Sequence, residues 1–215
     1  EKVAYQAADS RTSSPLATML SARGRCGEES TFTVSALRAV CIPARQVYTP
    51  RWAHTNDNHA WVEFWIDGAW HYLGACEPEP VPDRGWFTEP ARRAMLVHTN
   101  AFGYYGGDER VIRKERLFTE INTLGRYAET KELKVRVKDT SGKPVRGAMA
   151  GYLLYNYAEF YPLARLECDS SGECSLLTGF GTLVIWADDG DRSGFFISSP
   201  SDTFVEVTIG PGIRT

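Results

Sequence analysis

The stretch Gly24-Arg25-Cys26-Gly27-Glu28-Glu29-Ser30, followed at helical spacing by Phe32, Ala36, Leu37 and Val40 and closed by Ile42-Pro43, decides how this chain is read. It places Cys26 where a helix begins. The unpaired N–H groups of a first turn, with the positive end of the helix dipole, favour a thiolate and predict a lowered pKa for that cysteine. The same groups suit a developing oxyanion. Downstream, Asn58-His59-Ala60-Trp61-Val62-Glu63-Phe64-Trp65 is rich in aromatic and β-branched residues and reads as a strand with a histidine at its start. Asp67-Gly68 then predicts a tight hairpin turn into Trp70-His71-Tyr72-Leu73, so His59 lies on an antiparallel hairpin and is the candidate base.

Around this centre, 215 residues with ordinary globular composition suffice for one large or two small domains. The formal net charge is -3 with both signs scattered, which leaves no basic stripe for nucleic acid and no polybasic membrane patch. No apolar window is long enough for a transmembrane helix. Ser14-Pro15-Leu16 reads as a helix start that runs until Gly24. Residues 84–127 are aromatic and irregular, then charged, with no clear period. From Glu129 onward the texture is short alternating strands, beginning with Leu133, Val135 and Val137 against Lys134, Arg136 and Lys138. The expected class is α+β: a Cys-bearing helix packed on an antiparallel sheet in residues 1–128, then a small all-β sandwich in residues 129–215.

The order Gly-Arg-Cys-Gly-Glu before a helix, Ile-Pro-Ala-Arg ending it, His-Ala-Trp-Val-Glu and a closing Gly-x-Trp strand resembles the transglutaminase-like superfamily of papain-type cysteine enzymes, over roughly Pro15 to Pro80. The segment Val135 to Ala148, with Asp-x-x-Gly-Lys-Pro-Val-x-Gly-Ala at its centre, is similar to the carboxypeptidase-regulatory or transthyretin-like β-sandwiches of bacterial envelope proteins. The first resemblance implies acyl transfer: Cys26 attacks an amide carbonyl, His59 shuttles the proton and an acid orients the histidine. The family pattern has an aspartate four residues beyond the tryptophan of the closing strand, where this chain has Gly74. Glu77 is therefore chosen as the acid, with Glu79, Asp57 and Asn58 as alternatives.

Trp52 and Trp86 lie outside the strand alternation and are expected to line the cleft; as bulky aromatics they would serve equally as core. Arg25 could favour the thiolate or hold a substrate carboxylate, or be a solvated surface charge. The N–H of Cys26 is the natural first oxyanion donor, with Gln6 taken as the second and Tyr5 as its alternative. Five cysteines leave at least one thiol free. Cys41 and Cys76 read as packing residues, and Cys168 and Cys174 flank a turn that could bring them close enough to bond. His54, His59 and Cys76 lack the paired spacing of a zinc site, so neither a metal nor another cofactor is expected. The expected partner is a peptide, protein or cell-wall peptide substrate, and the expected location is extracytoplasmic and bacterial.

Overall fold

The computed structural model describes residues 3–6 and 12–211. Two short strands, β1 (Ala4–Tyr5) and β2 (Arg23–Gly24), pair in parallel around α1 (Pro15–Ser21). Ser14 caps α1 by accepting from the Ala17 N–H at 3.2 Å, and Pro15 takes the first turn. The helix stops at Ala22, in the left-handed conformation with φ 53°, before reaching Gly24. Then comes α2 (Cys26–Ala39), whose Val34 packs on Ala44 and Val62 of the sheet behind it.

That sheet has six strands in the order β5-β4-β3-β6-β8-β7: β3 (Ala44–Thr49), β4 (His59–Ile66), β5 (Ala69–Leu73), β6 (His98–Phe102), β7 (Val111–Lys114) and β8 (Phe118–Asn122), with the single turn α3 (Thr88–Ala91) between β5 and β6. The β4–β5 hairpin closes at Asp67-Gly68, both at positive φ (52° and 79°), the conformation that a two-residue turn between twisted strands requires. The remaining strands form a second sheet of seven, ordered β11-β10-β13-β14-β15-β9-β12: β9 (Lys131–Asp139), β10 (Met149–Asn156), β11 (Glu159–Glu167), β12 (Glu173–Thr178), β13 (Val184–Asp188), β14 (Arg192–Ile197) and β15 (Phe204–Pro211).

The expected α+β class is corrected by this arrangement. The molecule is mostly β, with 44% of the described residues in strands and 14% in helices, and its large second sheet curls into a nearly closed barrel. Two readings of the sequence caused the difference. Residues 84–127, taken as irregular, contain β6, β7 and β8 and bring the first sheet to six strands. The C-terminal strands, taken as a sandwich of two sheets, are continuous through a short β14–β15 pairing at Arg192↔Pro211 and Ser193↔Gly210. The edge strands β11 and β12 then come together, and beside that seam the Sγ atoms of Cys168 and Cys174 are 3.5 Å apart as free thiols.

The barrel core is apolar, built on Leu133, Val135, Val137, Tyr152, Ile185 and Ile209. Met95 and Leu96, which precede β6, are buried in the same core and tie the six-stranded sheet to the barrel. Polar bonds add to the contact: Thr178 Oγ1 donates to the Met95 carbonyl at 2.8 Å, and Asn122 Nδ2 to that of Leu177 at 2.7 Å. At Gly179 a Cβ would lie 2.3 Å from the Ala94 carbonyl oxygen, so only glycine lets the two backbones approach this closely. No helix among the described residues is long and apolar enough to cross a membrane.

Candidate active site

Cys26 is the first residue of α2 and His59 the first of β4, and both open on one cleft of about 730 Å³. The helix start is fixed by a capping box. Glu28, fully buried, accepts from the Arg25 N–H at 2.8 Å and from the Arg25 guanidinium at 3.3 and 3.4 Å. Burial pushes the Glu28 carboxyl up, but the Arg25 donors outweigh it and hold the group below its usual range. Ser30, one turn on, donates both to the Cys26 carbonyl and, at 3.1 Å, to the Ala60 carbonyl. This pins the first turn of α2 to the start of β4.

Burial pushes the Cys26 thiol above its ordinary pKa, and the N–H groups of Ala60 and Gly27, aimed at the sulfur, only partly offset it. The lowered value expected from a helix start is thereby corrected: the loss of water around the sulfur outweighs the dipole and the amide donors. His59, only 5% exposed, stacks among Trp52, Trp61, Trp86 and Phe87. Its pKa falls to about 4 because burial disfavours the imidazolium, with Asp57 pulling weakly the other way. At rest the pair is a neutral thiol and a neutral imidazole.

The buried Nε2 of His59 faces the Glu77 carboxylate at 3.8 Å, beyond hydrogen-bond reach. The same Glu77 Oε1 accepts from Trp86 Nε1 at 2.8 Å. A Cβ built on Gly74 would lie 2.8 Å from that oxygen, so the carboxylate of Glu77 fills the space that a side chain at position 74 would enter. Burial raises the Glu77 pKa, opposed by the Trp86 donor. Glu79 is exposed and away from the cleft, whereas Asp57 and Asn58 lie on its rim.

Trp86 lines the cleft and is 54% exposed, but Trp52 is buried behind the histidine and parallel to Trp61 at 6.5 Å. Its expected place on the cleft wall is corrected: lying outside strand alternation did not put it in solvent, because the β3–β4 loop folds its ring under β4. Arg25 lines the cleft while its guanidinium engages Glu28. Gln6 is exposed and its N–H bonds to the Gly24 carbonyl at 2.9 Å, leaving Tyr5 as the β1 residue on the cleft. Cys76 also faces the cleft; burial and the charges of Glu29 and Glu77 push its thiol up strongly.

Several lining residues escaped the sequence reading, among them Thr12, Asn100, Tyr161 and three on or beside β3. Gln46, Tyr48 and Pro50 occupy alternate positions along and just beyond β3, and Gln46 Nε2 donates to the Gly27 carbonyl at 2.9 Å. Their period of two was the available signal. Behind the sheet, Glu63, 1% exposed, accepts from Arg45 Nε and Tyr127 Oη, each at 2.6 Å, and Tyr127 in turn accepts from Trp61 Nε1 at 2.9 Å. This network holds β4 rigid beneath His59.

Residues 1–87 match the model of the transglutaminase-like superfamily. The match takes in both the cysteine and the histidine phrases and ends before the barrel. The match supports a likeness of these two phrases to a superfamily of Cys-based acyl-transfer enzymes. No curated protein matches the chain. Among solved structures, a streptococcal ancillary pilin aligns over 85% of this chain and 66% of its own length, with 8% identity and a TM-score of 0.31, a likeness too low to carry an inference.

Proposed function

We propose that Cys26 and His59 carry out thiol-dependent acyl transfer on a peptide or isopeptide amide, with Glu77 orienting the histidine and water as the usual acceptor. The observation that carries this reading is the fit of Glu77 to Gly74. The acid comes within 3.8 Å of the histidine from three residues later in the chain, and glycine at 74 makes room for it. In the reaction, Sγ of Cys26 attacks the carbonyl carbon as its proton passes to His59, and the helix-start N–H of Cys26 receives the oxyanion. His59 returns the proton to the leaving nitrogen as the C–N bond breaks. Water, deprotonated by the same imidazole, then cleaves the thioester and restores the thiol. Glu77 stabilises the imidazolium that forms in both steps, tightening from its resting distance as charge develops.

Residues 1–128 form the catalytic part in this reading and residues 129–215 an accessory one. Hydrolysis is favoured over amine transfer by the polar lining of the cleft, from Thr12, Gln46, Asp57 and Asn58, which admits water freely. The proximity of Cys168 and Cys174 supports an extracytoplasmic, oxidising setting. Incubation with an unfolded protein bearing glutamine and lysine, with and without a primary amine, separates the outcomes. New termini or free carboxylates that vanish in Cys26→Ala are expected; amine incorporation without hydrolysis would establish transfer instead. A second reading, a binding protein that keeps the fold without catalysis, is favoured by the neutral resting state of both Cys26 and His59. It predicts no product of either kind.

A further inference from the structure

The cleft does not end with the transglutaminase-like residues. It crosses the six-stranded sheet from β4, which carries His59 and Ala60, over Tyr48 of β3 to Asn100 of β6, and its far wall is Tyr161 of barrel strand β11. Adjacent strands lie about 4.8 Å apart, so Asn100 is about 10 Å from the β4 edge, the span of about three extended residues. The side-chain oxygen of Asn100 is buried there and has no hydrogen-bond partner among the described residues. A buried acceptor left unpaired costs stability, and a ligand N–H is the group that would satisfy it.

The barrel side of this wall is firmly built. Arg51, 5% exposed, lies over the Tyr161 ring at 5.1 Å, donates to Asn156 Oδ1 at 2.8 Å and to the Asn56 carbonyl at 3.0 Å, and pairs with Glu159 at 2.9 Å. Asn156 Nδ2 donates in turn to the carbonyls of Trp52 and Thr55, at 2.8 and 2.9 Å. The β10–β11 hairpin thus clamps the loop between β3 and β4 that brings Pro50, Asp57 and Asn58 to the cleft.

We propose that the barrel completes the substrate site: Asn100 accepts a backbone N–H of an extended polypeptide, and Tyr48 and Tyr161 bracket a side chain about three residues from the reacting carbonyl. The substrate is then a peptide segment, not a small amide. This rests on the catalytic reading above but concerns the far end of the cleft. The test is protection of Cys26 from iodoacetamide, mapped by peptide, using pools of N-acetylated, C-amidated dipeptides and hexapeptides.

Hexapeptides at saturating concentration are expected to slow labelling by at least about threefold, and dipeptides not to. Tyr161→Phe, which keeps the ring, retains protection; Tyr161→Ala and Asn100→Ala lose it while their unprotected labelling rates, measured well below each variant's melting temperature, stay near that of the wild type. Equal protection in all variants, or none in the wild type, would overturn the proposal. So would a loss of protection in Tyr161→Ala accompanied by altered unprotected labelling, which would mark the ring as structural only. A His59→Ala variant run alongside reports separately on the catalytic reading: labelling of Cys26 indifferent to His59 sinks that reading, whatever the peptides do.

Discussion

The barrel and the six-stranded sheet are both antiparallel for the most part, yet they bury different things. In the barrel, β9 and β15 send Leu133, Val135, Val137, Val205, Val207 and Ile209 inward and their charged neighbours outward. The six-stranded sheet and α2 bury Glu28, His59, Glu63, His98 and Glu120 in full or nearly so. Apolar burial is non-directional and robust, whereas a buried charge must be paired atom by atom. The difference separates a part made for stability from a part made to hold chemistry in place.

Substitutions that act on one side only are the means to sharpen this contrast. Leu133→Ala, in the barrel, should cost about 3 kcal/mol by the loss of a fully buried side chain. Urea unfolding measures it, and the loss should not depend on pH between 4 and 7. The pH dependence belongs to the other side. His59 folds in its neutral form and resists protonation until about pH 4, while the unfolded chain accepts a proton near pH 6.5. Its contribution is therefore intact above about pH 6.5 and is lost as the pH falls through 4, a decline on the order of 3 kcal/mol that His59→Phe should flatten.

Glu63→Gln keeps the shape but removes the charge that accepts from Arg45 and Tyr127, at an expected cost of about 2 kcal/mol. Equal losses from Glu63→Gln and from a surface glutamate such as Glu79→Gln would contradict the buried network. The smallest effect is Ser14→Ala at the cap of α1, about 1 kcal/mol by thermal or urea unfolding.

The same contrast explains what was legible in the sequence. The barrel strands could be read because alternation of Leu133, Val135 and Val137 with lysine and arginine is the signature of one buried face. Strands β6 and β8 could not, since their buried residues include His98, Thr99, Glu120 and Asn122, which are buried because they find partners in space: His98 pairs with Glu120, and Thr99 Oγ1 donates to the Gln46 carbonyl at 2.6 Å. Such pairing leaves no period in a single strand. The positions of Cys26 at a helix start and His59 at a strand start were readable from capping and hairpin signals. Their ionisation was not, because burial under Trp52, Trp61, Trp86 and Phe87 is a tertiary fact. Nor was the fit of Glu77 over Gly74, which depends on how residues 74–77 turn away from β5.

The most direct test of the catalytic account compares iodoacetamide labelling of native protein and His59→Ala, resolved by peptide, with exposed Cys41 as the reference thiol in the same molecule. If His59 takes the proton from Cys26, its loss should slow Cys26 by roughly a hundredfold, at the low end of what a positioned base contributes, and leave Cys41 unchanged. Labelling of Cys26 at the same rate in both proteins would contradict the account.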